Sequence, residues 1–152
     1  LIDYLMFLET VFKQDIEELK HSPLYITFNV YSEYNATAFG VKQYIEIVKF
    51  DDLDKHDIAN MILNKAKETY CNLQGINNRY QLLVHSMQYL GNIVACIPYI
   101  KDIDLKKNIN DMELSKELIP VINHILAFQD TIIWYTDLNF IMRNFVDGGV
   151  VI

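Results

Sequence analysis

The sequence predicts an all-α protein that forms one domain over residues 1–152. Apolar side chains recur at three- and four-residue steps along most of the chain, as they do on the buried face of an amphipathic helix. Only 5 Gly and 3 Pro interrupt this pattern, too few for a turn-rich sandwich or barrel. Hydrophobic residues make up 51% of the chain, which is enough for a sizeable core and excludes intrinsic disorder. We expect six to eight helices around one buried central helix.

The first third of the chain contains two helical stripes with a helix start between them. The first stripe consists of Leu5, Leu8, Phe12, Ile16 and Leu19. Ser22 followed by Pro23 then combines a helix cap with a first-turn proline. Residues 25–31 have some strand character, but a lone strand has no visible partner, so we expect helix there. The inward stripe of this second helix begins with Leu24, Phe28 and Tyr31, and after Gly40, a candidate kink, it resumes with Val41, Tyr44, Ile45 and Val48.

The predicted central helix follows a turn and one further amphipathic helix. The turn is Asp51-Asp52-Leu53-Asp54, and the stripe of the amphipathic helix is Ile58, Met61, Ile62, Ala66, Tyr70 and Leu73, closed near Gly75. Asn77-Asn78 opens the central helix and Pro98 ends it. Its apolar residues occupy nearly every side: Leu82, Leu83, Met87, Tyr89, Leu90, Ile93, Val94, Cys96 and Ile97. A helix with this pattern is expected to be buried on all sides.

Two shorter helices are predicted after a polar segment over residues 101–110. Asp111 is expected to cap the first of them, and Pro120 either kinks this helix or marks its start. Its inward residues are Leu114, Leu118, Val121, Ile122 and Ile125. Asp130 is expected to cap the last helix, which carries Trp134, Leu138, Ile141 and Phe145 and ends at residues 147–149.

Charge and polarity narrow the classes of partner. The net charge is −7, which disfavours a nucleic-acid-binding protein because affinity for phosphates grows with Lys and Arg contacts. The uncharged stretch over residues 80–100 contains too many polar groups for a membrane span of about 20 residues. The first residues lack the basic region of a signal peptide. Cys71 and Cys96 are expected to be free thiols of a reducing compartment.

The residues with potential catalytic chemistry are few. Asp51, Asp52 and Asp54 form the one carboxylate cluster, which suggests either a capped helix start or a magnesium site for a diphosphate-binding enzyme. The four histidines lack metal-ligand spacing, so His85 and His124 are expected to hydrogen-bond within the core. Nothing in the sequence near Cys96 and His124 suggests the further groups that a nucleophile–base pair needs. We expect no catalytic residue, no bound metal and no cofactor.

Several segments, which follow one another in the same order along the chain, resemble segments of the poxvirus Bcl-2-like immunomodulators. Tyr25-Ile26-Thr27-Phe28 is similar to their Tyr-Ile-x-Trp-type helix, with Phe28 where Trp is common. Lys49-Phe50-Asp51-Asp52 matches the family's aliphatic-x-Phe-Asp-Asp-type motif. Residues 82–100 resemble the family's buried central helix, and residues 118–145 resemble its closing helices.

This resemblance implies a Bcl-2-like helical bundle without enzyme activity. Such a protein binds host signalling proteins in the host cell cytoplasm and blocks signalling to NF-κB and interferon-regulatory factors. Tyr31, Tyr34 and Tyr44 are expected to be exposed anchors for the partner, since Tyr is enriched at binding hot spots. Self-association through an apolar helix face is a further expectation.

Three alternatives remain open. Some members of the family instead bind a pro-apoptotic helix, but Asn77-Asn78-Arg79-Tyr80 stands where those members often carry Asn-Trp-Gly-Arg. The second alternative is the magnesium-dependent enzyme that uses Asp51, Asp52 and Asp54. The third is a helical regulatory domain of a larger bacterial protein.

Overall fold

The computed structural model describes residues 24–73, 78–101, 104, 107–108, 115–129 and 131–148. These residues form five α-helices and one short 3-10 helix. They are α1 (Leu24–Ile47), α2 (Lys55–Cys71), α3 (Arg79–Cys96), the 3-10 helix (Ile97–Tyr99), α4 (Ser115–Leu126) and α5 (Ile132–Val146). Over the same ranges the backbone forms no strand, and its one isolated bridge joins Phe50 to Leu53. The prediction of an all-α protein is therefore confirmed.

The chain divides into two compact units. The first contains residues 24–32 of α1 together with α4 from Lys116 onward and α5. The second contains the rest of α1, α2, α3 and the 3-10 helix. The single domain over residues 1–152 and the Bcl-2-like arrangement of six to eight helices stay predictions.

In the second unit, side-chain caps define where α2 and α3 begin. The Asp54 carboxylate accepts a hydrogen bond from the backbone N–H of Asp57 at 2.8 Å, and the Asp57 carboxylate accepts one from the N–H of Asp54 at 3.2 Å. This reciprocal pair is a capping box. The Asn78 side chain accepts from the N–H of Gln81 at 3.1 Å and starts α3. Both helix starts confirm the sequence prediction.

The predicted burial of α3 is confirmed in part, since Val94 is half-buried and Ile97, just beyond the helix, is 37% exposed. Ten of its 18 residues are buried, and they include Leu83, Met87, Leu90 and Ile93, which are fully inaccessible. Together, the ten buried positions lie on more than one side of the helix. Pro98 sits in the 3-10 helix that follows, where its ring prevents α3 from continuing.

Gly91 brings α3 unusually close to α1. A Cβ atom at this position would lie 2.8 Å from the carbonyl oxygen of Tyr34, 3.0 Å from the Cβ of Thr37 and 3.1 Å from the N of Ala38. Only glycine therefore allows the two backbones to approach to this distance. Gly40 is different, since a Cβ built there meets no atom within 4 Å.

A second contact holds the C-terminal half of α1 on α2 and α3. Ile45 packs in a buried cluster with Ile58, Ala59, Cys96 and Ile100, and Val41 packs against its edge. The inward stripe of α1 is thus confirmed at Val41 and Ile45. It is wrong at Tyr44, which is exposed because it lies about 100° around the helix from Ile45.

The first unit contains α4 and α5. The inward residues of α4 are confirmed at Leu118, Val121, Ile122 and Ile125, and those of α5 at Trp134, Leu138 and Phe145. Pro120 lies inside α4 and does not mark its start. The cap of α5 is Thr131 and not Asp130, because the Thr131 hydroxyl accepts the N–H of Trp134 at 3.1 Å. Gly148 ends α5 with a φ of 98°, a conformation that glycine adopts without strain.

Several sequence predictions fall outside the described residues. They concern the first helical stripe, the start at Ser22 and Pro23, the end near Gly75, Asn77, the cap at Asp111 and the inward residue Leu114. Most of the polar segment over residues 101–110 is also outside these ranges.

Candidate functional site: exposed apolar surfaces

One face of α1 exposes large apolar side chains. Phe39 is 64% exposed and Ile47 is 70% exposed, and both are separated from exposed Gln43 by four residues, so the three share a face. Tyr44 borders this face at 47% exposure, and Phe50 is also exposed just beyond the helix end. We name Phe39, Tyr44, Ile47 and Phe50 the α1 patch.

Exposed charged side chains are close to the α1 patch along the chain. Lys42, Lys49, Asp51 and Asp52 are all exposed in the same stretch of sequence. Large exposed apolar groups rimmed by polar residues are typical of protein interaction sites. Such a patch can supply the apolar centre of an interface, and the charges can orient a partner at its edge.

An ion pair and a hydrogen bond hold the end of α1 that carries the patch. The Glu46 carboxylate lies 2.6 Å from the Lys55 ammonium at the start of α2, and it accepts a hydrogen bond from the Tyr99 hydroxyl. These two donors lower the pKa of Glu46. The same hydrogen bond is the main reason that the pKa of Tyr99 rises to about 12. The end of α1 is thus fixed to two other elements of its unit.

The three tyrosines predicted as anchors have different surroundings. Tyr44 is exposed, which agrees with its predicted role as an anchor and not with its place on the inward stripe. Tyr34 is half-buried, and this burial raises the pKa of its hydroxyl. Tyr31 is buried, with 8% of the residue accessible, so its place on the inward stripe is confirmed and its expected exposure as an anchor is wrong. Whether any of them binds a partner stays a prediction.

Tyr31 is buried because it belongs to an aromatic cluster in the first unit. Its ring centroid lies 5.1 Å from the ring centroid of Trp134, 6.0 Å from that of Phe128 and 6.5 Å from that of Tyr135. Edge-to-face and offset stacked contacts of this kind stabilise a core beyond the area that they bury. Tyr31 therefore contributes to the fold of this unit.

An apolar groove runs between α2 and α3. Its volume is about 440 Å³, within the range of natural ligand sites. Tyr70 and Tyr89 stack at a centroid distance of 4.9 Å among its walls, and the Tyr70 hydroxyl bonds to the buried Ser86 hydroxyl at 3.0 Å. Met61 was expected to point inward, but it is exposed and lines this groove. We refer to this feature as the α2–α3 groove.

The aspartate cluster serves the helix start. Asp54 is the N-cap of α2, and the hydrogen bond from the backbone N–H of Asp57 is the largest cause that lowers its pKa. Within the described residues, ligand atoms of Asp54, His56 and Asp57 lie within 4.8 Å of one another, and Asp51 and Asp52 are not part of this group. The arrangement fits the capped helix start, one of the two interpretations of the sequence.

His85 and His124 are hydrogen-bonded as predicted, but both are half-buried and not in the core. The Nδ1 of His85 lies 3.2 Å from the side-chain oxygen of Gln88. The Nε2 of His124 donates to the carbonyl of Trp134 at 2.8 Å, and the Trp134 indole N–H donates back to the His124 carbonyl at 3.1 Å. This reciprocal pair ties α4 to α5.

Cys96 has the character of a core thiol. It is buried, its Sγ donates to the carbonyl of Ala59 at 3.5 Å, and burial raises its pKa to about 11. A thiol with such a pKa carries little thiolate at neutral pH and is a poor nucleophile. Cys71 is a free, exposed thiol, so the prediction of two unpaired cysteines is confirmed.

The sequence prediction missed Phe39 and Ile47 as surface residues. The sequence does contain a signal for their exposure. At 100° per residue, both lie on the side of the helix opposite the inward stripe of Val41 and Ile45. Large apolar residues on the opposite side of an amphipathic helix indicate a second contact surface.

The comparisons with known proteins add no family to these observations. No family model matches the chain, and no curated protein or solved structure is significantly similar to it. Among the described helices, none combines the length and the apolar sequence that crossing a membrane requires. The class of protein defined so far is therefore an all-α protein with exposed apolar surfaces.

Proposed function

We propose that this protein is a non-enzymatic viral immunomodulator that binds host signalling proteins in the host cell cytoplasm. Binding would inhibit innate immune signalling through NF-κB and interferon-regulatory factors. The sequence resemblance to poxvirus Bcl-2-like proteins supports this proposal. The observation that carries it is the α1 patch, which gives an all-α protein an apolar surface for a partner.

The position of the α1 patch also supports this proposal. It includes Phe50 of the Lys49-Phe50-Asp51-Asp52 segment, one of the segments on which the resemblance rests. Phe50 is exposed, and so are the three charged residues of that segment. A partner that meets this surface contacts apolar and charged groups together, a combination suited to specific protein recognition.

The test uses a double substitution in the α1 patch, Phe39→Ser with Ile47→Asp. Both side chains are exposed, so we expect the free energy of unfolding to change little. Loss of hot-spot residues costs about 2 kcal/mol or more, equivalent to about a thirtyfold weaker complex. We expect the variant to lose most of the wild-type inhibition in a cellular NF-κB reporter assay and to lose the host proteins that co-purify with the wild type.

The matched control is Asn64→Asp, which adds the same charge at an exposed position of α2. This control should inhibit the reporter as strongly as the wild type. If the wild type has neither a reporter effect nor a host partner, the proposed function is wrong. If the wild type is active and the double variant is equally active, the function stands and the α1 patch is not its site.

The second candidate function is inhibition of apoptosis by binding a pro-apoptotic helix. The α2–α3 groove favours it, since amphipathic helices bind with their apolar face in such grooves. Fluorescence anisotropy with a labelled pro-apoptotic helix peptide tests it directly. Saturable binding that Ala66→Glu abolishes would support this function, and absence of binding by the wild type would reject it.

A further inference from the structure

A pocket in the first unit lies between the start of α4 and the end of α5. Its volume is about 320 Å³, and its apolar walls are formed by Pro120, Phe140, Ile141 and Phe145. Phe145 is buried and Ile141 is half-buried, whereas Phe140 is 61% exposed at the solvent side of the pocket. We propose that this pocket, which we name the α4–α5 pocket, binds a small aromatic carboxylate.

The proline inside α4 contributes to this pocket. Pro120 follows Lys116 by four residues, and both of them line the pocket. Because proline has no N–H, the Lys116 carbonyl does not receive the hydrogen bond that residue 120 would otherwise donate within the helix. The α4–α5 pocket therefore lies at an interruption in the hydrogen bonds of α4, where the helix cannot keep its regular geometry.

The size and the walls of the pocket match a flat ligand of two fused rings. An apolar cavity of about 150 Å³ binds benzene, and the α4–α5 pocket has about twice this volume. Phe140 and Phe145 supply two aromatic rings to its lining. Aromatic groups pack favourably against such rings, either stacked with an offset or edge to face. An aromatic ligand therefore suits these walls better than a polar one of the same size.

Two polar side chains of the lining define the charge of the ligand. The Asn144 amide is half-buried, and among the residues that the structure describes it forms no hydrogen bond with its side chain. The exposed Lys116 ammonium forms no ion pair within the same residues. Glu117 also lines the pocket, but it already has an interaction within the chain. The unpaired charge at the pocket is therefore positive.

A carboxylate is the group that uses both of these side chains. It accepts hydrogen bonds only, so the amide N–H groups of Asn144 can donate to it, and the Lys116 ammonium complements its charge. The apolar rings of the same molecule then occupy the space beside Pro120 and Phe145. Size, aromatic walls and charge thus lead to one chemical class of ligand.

The first experiment is isothermal titration calorimetry of the full chain with two probes of the same shape, 2-naphthoate and the uncharged 2-naphthamide. We expect both probes to bind. Lys116→Met should weaken the binding of 2-naphthoate by about two- to fivefold, as expected for loss of an exposed ion pair, and should leave that of 2-naphthamide unchanged. Lys101→Met, at an exposed position of the second unit, is the matched control and should change neither.

The second experiment locates the ligand next to α5. Asn144→Asp adds a negative charge at a half-buried position and should weaken the binding of 2-naphthoate by about tenfold or more, because like charges then face each other. Its effect on 2-naphthamide should be much smaller, and this second probe also shows that the variant is folded. Asn64→Asp makes the same change on exposed α2, and Ala66→Glu adds a charge to the α2–α3 groove. Both should bind 2-naphthoate like the wild type.

Three results would overturn the proposal. The first is a wild type that does not bind 2-naphthoate. The second is binding that Lys116→Met and Asn144→Asp leave unchanged. The third is loss of 2-naphthoate binding in Ala66→Glu, which would assign the ligand to the α2–α3 groove.

Discussion

Helix α3 and the C-terminal half of α1 are both rich in apolar residues, yet they use them in opposite ways. In α3, ten of 18 residues are buried. Between residues 36 and 47 of α1, Ile45 is the one buried residue, while Phe39, Tyr44 and Ile47 face solvent. Apolar content therefore does not decide whether a helix forms the core. The side that meets a neighbouring helix decides it.

The contact at Gly91 shows how this difference arises. Close approach of α1 to α3 lets Thr37 and Ala38 face Gly91, and Ile45 packs two turns further along α1. One side of α1 is therefore fixed against the core of its unit. The other side, which carries the α1 patch, is left for solvent or for a partner.

The largest difference in stability is expected between truncating a side chain to alanine in α3 and truncating one in the α1 patch. Leu90→Ala removes a fully buried side chain and should lower the free energy of unfolding by about 2–5 kcal/mol. Ile47→Ala should change it by about 0.5 kcal/mol or less, because that side chain is exposed. Urea denaturation followed by circular dichroism measures both. Equal losses would contradict the assignment of core and surface.

A second comparison uses two glycines. Gly91→Val forces a Cβ against the backbone of α1 and should destabilise the protein by about 1–3 kcal/mol. Gly40→Ala places a Cβ in open space inside a helix and should stabilise it by about 0.5–1 kcal/mol. Thermal unfolding of the two variants should therefore shift in opposite directions. A neutral Gly91→Val variant would show that α1 and α3 do not approach closely.

A smaller effect is expected at the start of α3. Asn78→Ala removes the side chain that accepts the N–H of Gln81 and should cost about 1 kcal/mol. Asn64→Ala, in the exposed interior of α2, is the control and should be neutral or slightly stabilising, since Ala is the better helix former. Similar stability for both variants, measured by urea denaturation, would argue against the cap.

The smallest expected effect is a loss of stability at high pH. The pKa of Cys96 rises from 9.0 to about 11 by burial in α3, and the pKa of Tyr99 rises from 10.0 to about 12 mainly through its bond to Glu46 near the α1 patch. Both groups hold their protons more tightly in the folded protein than in the unfolded chain. Below about pH 9 both are protonated and their contribution to stability is complete, and it is lost as the pH rises towards 11–12.

Melting temperatures between pH 8 and pH 11 test this dependence. Cys96→Ala and Tyr99→Phe should each make the alkaline decrease shallower, because each removes one group that must ionise. The melting temperature of Cys71→Ser should follow that of the wild type, since Cys71 is a free, exposed thiol outside the core. A wild-type melting temperature that stays constant up to pH 11 would contradict the burial of Cys96 and the Tyr99 hydrogen bond.

The sequence was sufficient for local features whose causes are local. The caps at Asp54 and Asn78 and the end of α3 at Pro98 follow from residue types at short spacing, and all three agree with the structure. The burial of α3 followed from apolar residues on nearly every side. The cap of the last helix was placed one residue early, because Asp130 and Thr131 are both good capping residues and local sequence does not rank them.

The sequence was not sufficient where a neighbouring element decides burial. For Tyr31 the sequence supports both an inward position on the helical stripe and an exposed role as an anchor, and contacts with Phe128 and Trp134, about a hundred residues away in sequence, decide for burial. Tyr44 and Met61 were assigned to inward stripes, yet both are exposed because the neighbouring helices pack against other sides. For the same reason the α1 patch could not be recognised as a surface before the packing of α1 was known.

The most direct test of the contrast between the two helices is the rate of thiol alkylation in a Cys71→Ser background. Ile47→Cys in the α1 patch should be modified as fast as the unfolded chain, whereas native Cys96 in α3 should remain unmodified until denaturant is added. Protection of the thiol at position 47, or rapid modification of Cys96 in the folded protein, would contradict the account.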